Sequence, residues 1–124
     1  MSILIAVPDS PEGIAALHAG IAEARRLDTD LLVVNLALRP IELADLPADV
    51  KIEVLERRGK EDRDPVSAVL DEIGLHGAER LVIGIKRRSP VGKALLGSVS
   101  QRLLLDSPVP VLAVKLGGDD ESDR

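Results

Sequence analysis

Cysteine is absent from this 124-residue chain, and so are phenylalanine, tyrosine and tryptophan. The first absence excludes a disulfide framework, a thiolate metal site and a thiol nucleophile. The second removes the platforms on which single-stranded nucleic acids stack, and it leaves an adenine ring only aliphatic side chains to lie between. Long apolar runs are missing too, since none approaches the ~20 residues needed to cross a bilayer. The opening Met-Ser-Ile-Leu-Ile-Ala-Val-Pro-Asp has no basic residue ahead of its apolar stretch and soon meets a turn. It reads as the first core strand of a cytoplasmic protein rather than a secretory signal. Positive charge is in deficit, with 16 Lys and Arg against 21 Asp and Glu and a net charge of −5, which argues against a nucleic-acid partner. Much of that excess sits in Asp119, Asp120, Glu121 and Asp123 near the end. We expect one domain over residues 1–116 and a frayed acidic tail over 117–124.

What the chain does have is alternation between strand-like and helix-like patterns. Strands are expected at 3–7, 31–36, 50–55, 81–84 and 109–114. Four of these are nearly continuous aliphatic runs, the mark of strands covered on both faces, whereas Val-Lys-Ile-Glu-Val alternates and suits a sheet edge. Ser10-Pro11 offers an N-cap and a first-turn proline for a helix that would bury Ile14, Leu17, Ile21 and Ala24. Asp64-Pro65 repeats the device ahead of Val66, Val69, Leu70 and Ile73. A third helix is expected from Ser98, with Gln101 closing a capping box. These elements give an α/β fold: a single, doubly wound, five-stranded parallel sheet in the order 3-2-1-4-5 with helices on both faces. Residues 37–49 hold Pro40 and Pro47 and are just long enough for a reduced second crossover. In that order a crevice opens between the C-terminal ends of strands one and four.

The segment from Ile83 onward, Ile-Gly-Ile-Lys-Arg-Arg-Ser-Pro-Val-Gly-Lys-Ala-Leu-Leu-Gly-Ser-Val-Ser, would feed this crevice. A strand ending in Gly84, a loop carrying Lys86, Arg87, Arg88 and Lys93, and a helix start at Gly97-Ser98 bring cations, free amides and a hydroxyl together, which suits a phosphate. Other phosphate chemistries fit poorly. In Val-Gly-Lys-Ala the residue after the lysine is Ala94 rather than the Ser or Thr of a P-loop, and Arg87 stands where that motif's first glycine belongs. Strand three ends in Glu56-Arg57-Arg58, without the aspartate of a phospho-acceptor domain, and Pro-Asp-Ser-Pro-Glu-Gly lacks a dinucleotide fingerprint. The histidines, His18 and His76, are helix-borne and remote from Ser98 and Ser100 in this topology, so no nucleophilic triad is assembled.

Across its whole length the chain resembles the universal stress protein family. The resemblance is carried by Ile-Leu-Ile-Ala-Val-Pro-Asp-Ser-Pro, Leu-Leu-Val-Val-Asn, Asp-Pro-Val-Ser-Ala-Val-Leu-Asp-Glu and Gly-Ser-Val-Ser-Gln-Arg-Leu-Leu-Leu-Asp-Ser-Pro-Val-Pro-Val-Leu-Ala-Val-Lys. Nucleotide-binding members carry Gly-x2-Gly-x9-Gly-(Ser/Thr); here the four positions are Gly84, Arg87, Gly97 and Ser98. The resemblance implies a regulatory protein that binds ATP through Ala6, Val7 and Pro8, Leu36, Ile83 and Gly84, Arg87, and Gly97, Ser98, Val99 and Ser100. Magnesium would be held only through the nucleotide phosphates. It also implies a homodimer through the last strand, with Val109 and Val114 at its ends. No catalytic residue is implied, and any hydrolysis would be slow. Two positions depart from the pattern. Pro8 replaces an aspartate and cannot accept its hydrogen bonds, and Arg87 adds bulk where backbone should approach phosphate, although its guanidinium matches phosphate bidentately. Both departures fit an alternative, a dimeric stress-response interaction module that has lost nucleotide binding.

Overall fold

The computed structural model describes residues 2–7, 11–36, 46–56, 64–85 and 97–115. Five strands and three helices follow in the order β1 (Ser2–Val7), α1 (Pro11–Leu27), β2 (Asp30–Asn35), β3 (Ile52–Leu55), α2 (Pro65–His76), β4 (Arg80–Ile85), α3 (Ser98–Asp106) and β5 (Val111–Lys115). The strands form one parallel sheet in the order β3-β2-β1-β4-β5. This is the expected order, and the alternating strand β3 does lie at an edge. Most of the expected reduced crossover, residues 37–45, lies outside the described residues. None of the described helices is long and apolar enough to cross a membrane.

Each face of the sheet carries its own apolar layer. Ile3, Ile5, Val7, Leu31, Val33 and Val82 pack beneath α1, which contributes Ala16, Leu17, Ile21 and Ala24. Leu4, Ala6, Leu32, Val34, Leu81 and Ile83 pack beneath α2 and α3, which contribute Val66, Val69, Ile73 and Leu103. The period-two alternation of a strand explains the split, because neighbouring residues of β1 serve opposite layers. Their aliphatic continuity, six buried residues out of six in β1, follows from having a helix on either side.

The buried face of α1 differs from the expected one. Leu17, Ile21 and Ala24 are buried, but Ile14 is 54% exposed. The stripe centres on small residues instead, with Gly13, Ala16 and Gly20 among those buried. Gly20 shows why: a Cβ there would lie 2.1 Å from Ile5 Cδ1, so the helix sits on β1 at a distance only glycine permits. That close approach tips Ile14 to the margin of the stripe.

Helix ends follow local chemistry. Asp64 caps α2, its Oδ2 accepting from the Ser67 amide at 3.4 Å, and Gly77 ends that helix in the left-handed conformation at φ 63°. The α1 terminus uses Asp28 at φ 53° in the same way, and the Thr29 amide reaches back to the Ala24 carbonyl at 3.0 Å. The expected cap at Ser10 and the acidic tail over 117–124 lie outside the described residues.

Candidate functional site

Strands β1 and β4 meet where the strand order reverses, and their pairing there is short. The ladder runs from Ile3↔Arg80 to Ile5↔Val82, and both strands continue past it, β1 through Val7 and β4 through Ile85. On either side the neighbouring ladders carry on, to Val7↔Asn35 and to Ile85↔Lys115. The sheet therefore parts between its first and fourth strands at their C-terminal ends.

Backbone alternation shows which groups face the parting. The Leu81 amide donates to the Pro110 carbonyl at 2.9 Å, so Leu81 turns its backbone toward β5 and Gly84, three residues on, turns toward β1. Likewise the Leu36 amide donates to the Val7 carbonyl at 2.9 Å, so Val7 faces β2 and Ala6 faces β4. The Ala6 carbonyl and the Gly84 amide thus point at each other's strand beyond the last rung of the ladder.

Helix α3 begins beside the same place. Ser100 Oγ donates to the Gly84 carbonyl at 3.2 Å, which ties the first turn of α3 to the end of β4. The helix start differs in detail from the expected capping box. Gly97 is the N-cap, its carbonyl accepting the Gln101 amide at 2.9 Å, and it has no side chain with which to cap the end. Ser98 is consequently the first helical residue, one place too late to cap. The amides of residues 98–100 precede the first intrahelical bond and present the positive end of the helix dipole. Gly97 has φ −65° and ψ 163°, open to any residue, and among the described residues no atom lies within 4 Å of where its Cβ would be. Neither backbone strain nor described packing asks for glycine at this position.

The remaining expected residues divide by what they have to offer. Ala6, Val7, Leu36 and Ile83 are buried in the two core layers, so their side chains serve the fold. Gly97 and Ser98 are exposed, and Val99 and Ser100 are half-buried. Pro8 and Arg87, with the basic loop of Lys86, Arg88 and Lys93, lie outside the described residues. His76 closes α2 and pairs with Glu72 at 3.1 Å, at the opposite end of β4 from α3's first turn. His18 is exposed on α1, across the sheet. Among the described residues no cluster of three or more His or acidic side chains could hold a metal ion.

Two polar pairs near this end of the sheet were not anticipated from sequence. Asn35, fully buried at the end of β2, donates through Nδ2 to Glu56 Oε1 at 2.8 Å. Its signal was a lone amide closing an otherwise aliphatic run. Arg102 of α3 forks onto Asp64, the cap of α2, with Nη1 to Oδ1 at 3.1 Å and Nη2 to Oδ2 at 2.9 Å. The guanidinium holds the Asp64 carboxyl below its usual range, helped by the Ser67 hydroxyl and amide. No local pattern joins residues 38 apart, so this pair was invisible before folding.

A parallel sheet that parts at its switch point, with a helix N-terminus tied beside the parting, defines a class of α/β protein that also emerges from comparison. Residues 42–115 match the profile of the universal stress protein family. A universal stress protein of Mycolicibacterium smegmatis is 41% identical over 131 residues, covering 94% of this chain and 98% of that protein. The solved universal stress protein of Archaeoglobus fulgidus superposes with a TM-score of 0.66 at 27% identity, covering 93% of this chain and 98% of the other. A structure of the universal stress protein from that organism in complex with dAMP superposes with a TM-score of 0.61 at 24% identity, covering 93% and 98%. The chain belongs to the universal stress protein family.

Proposed function

We propose that this protein is a cytoplasmic, dimeric regulator that binds an adenine nucleotide, ATP, where β1 and β4 part. The observation that carries the reading is Gly97. Its backbone conformation and its described surroundings would both accept a side chain, so a glycine at the N-cap of α3 makes sense if something outside the protein approaches the amides behind it. A phosphate has the right chemistry, because it accepts from the amides of 98–100 and from the Ser98 hydroxyl and is favoured by the helix dipole. Arg87 would add a guanidinium to the phosphates, and magnesium would be carried on them rather than by protein ligands. The base would meet the backbone ends of β1 and β2 at Ala6, Val7, Pro8 and Leu36, with Ile83 and Gly84 flooring the gap and Val99 beside it. A fold relative captured with dAMP supports an adenine nucleotide as the ligand class.

Dimerisation would use β5. It closes one edge of the sheet, with Val111, Leu112 and Val114 only half-buried and Ala113 exposed. Alternation from Pro110, whose carbonyl faces β4, turns the backbone groups of Val111 and Ala113 outward, ready to pair with a second copy of the strand.

Calorimetric titration of ATP with magnesium into wild type and Gly97→Val tests the site. Wild type should bind saturably, and the variant should fold while losing binding, because its side chain would cover the amides. Equal affinity in the two proteins would move the ligand elsewhere. A wild type without heat would favour the interaction module.

A further inference from the structure

Helix α3 is short, and the structure shows how it is held. Of its nine residues only Leu103 is fully buried, at 1% exposure. Val99, half-buried, packs against the same apolar layer, and two polar contacts join them, Ser100 to the end of β4 and Arg102 to the cap of α2. The Ser100 bond fixes where the first turn sits, and the apolar contacts of Val99 and Leu103 seat the helix without the directionality of a hydrogen bond. The Arg102 fork adds that directionality, since two parallel N–H···O bonds impose direction as well as distance.

We infer that Arg102 is a positioning residue for the nucleotide site, its fork on Asp64 setting the angle at which α3 aims the amides of 98–100 into the parting of β1 and β4. The inference rests on the nucleotide reading above. Asp64 is suited to the role because it is itself fixed. Its carboxylate accepts from the Ser67 amide and from Ser67 Oγ at 3.0 Å, so Arg102 grips a group immobilised on α2. The Arg102 and Asp64 side chains are 53% and 37% exposed, and an ion pair that open to water contributes little to global stability. Its consequence is local orientation.

A role in orientation differs from a direct electrostatic one in the sign of one substitution. If Arg102 acted through its charge on the phosphates, Asp64→Asn would remove a competing anion and tighten binding. If it acts as a strut, Asp64→Asn cuts the strut and weakens binding, although asparagine still caps α2 well. Arg102→Met removes the fork and keeps an aliphatic stem.

The test is ATP-magnesium calorimetry on Arg102→Met, Asp64→Asn and the double variant, paired with amide hydrogen exchange on the same proteins without nucleotide. The expected result is a loss of roughly five- to tenfold in affinity for each single variant, with the double variant no worse than either, because all three cut one link. Exchange at residues 101–106 should quicken in every variant while the strands keep their protection. Tighter binding by Asp64→Asn, or unchanged affinity in both single variants, overturns the inference. Should wild type bind no ATP, the nucleotide reading fails by itself. Exchange then decides the strut: quickened α3 amides sustain the hold of Arg102 on the helix, and unaltered ones overturn it.

Discussion

Gly20 is the residue on which the α1 layer depends most. A methyl group there would meet Ile5 Cδ1 at 2.1 Å and Cγ1 at 2.6 Å, and Ile5 is fully buried, so its side chain has little room to yield. Gly20→Ala should cost about 1–3 kcal/mol through overpacking, read as a lower urea midpoint with an unchanged slope. An unchanged midpoint would mean that the layer is looser than described. Charged residues give a second expectation. Glu23 is drawn below its usual range by the Arg26 hydrogen bond, against the opposing effect of its burial, with Arg26 and Arg80 attracting it as well. Asp49 is lowered by Arg25 and Asp64 by Arg102. Because each carboxyl ionises more readily in the folded chain, the stability it lends is fully present above the unfolded value of about 4 and drains away as pH falls through the lower folded value. Urea midpoints should therefore hold steady from neutrality to about pH 5 and drop below about pH 4, less steeply in Glu23→Gln. A flat profile to acid would contradict the pairing of Glu23, the least exposed of the three carboxylates at 11%.

At the scale of elements, α3 is the piece whose attachment matters for the proposed site. Leu103→Ala should cost about 2–5 kcal/mol, since it empties the one fully buried position of the helix and weakens the hold on Ser98 to Ser100. Thermal unfolding measures the cost. Retained stability would show that the polar contacts suffice. The strands and α2 were legible in sequence because their signals are local: continuous aliphatic runs, one alternating run, and an Asp-Pro start. The start of α3 was legible only to within a residue. Gly97-Ser98 and Ser98-x-x-Gln101 both look like beginnings, and the Gln101 to Gly97 hydrogen bond decides between them. The exposure of Ile14 and the Arg102–Asp64 fork were not legible. The first depends on how closely α1 approaches β1, and the second joins two helices that only the finished sheet brings together.

For the whole molecule, an α/β body with an apolar layer on each face of its sheet carries the proposed edge-strand dimer and the proposed adenine-nucleotide site. Ala113→Pro probes the edge. It removes an outward amide while leaving the rungs between β4 and β5, so sedimentation should show a monomer of native secondary structure, and a persistent dimer would place the interface elsewhere. The nucleotide site permits a more direct measurement, because a chain without phenylalanine, tyrosine or tryptophan contributes almost nothing to absorbance where adenine absorbs. Equilibrium dialysis of the purified protein against ATP and magnesium, read by that absorbance, should show nucleotide accumulating with the protein to one per chain and departing in Gly97→Val. Equal absorbance on both sides of the membrane at saturating protein would contradict the account at its centre.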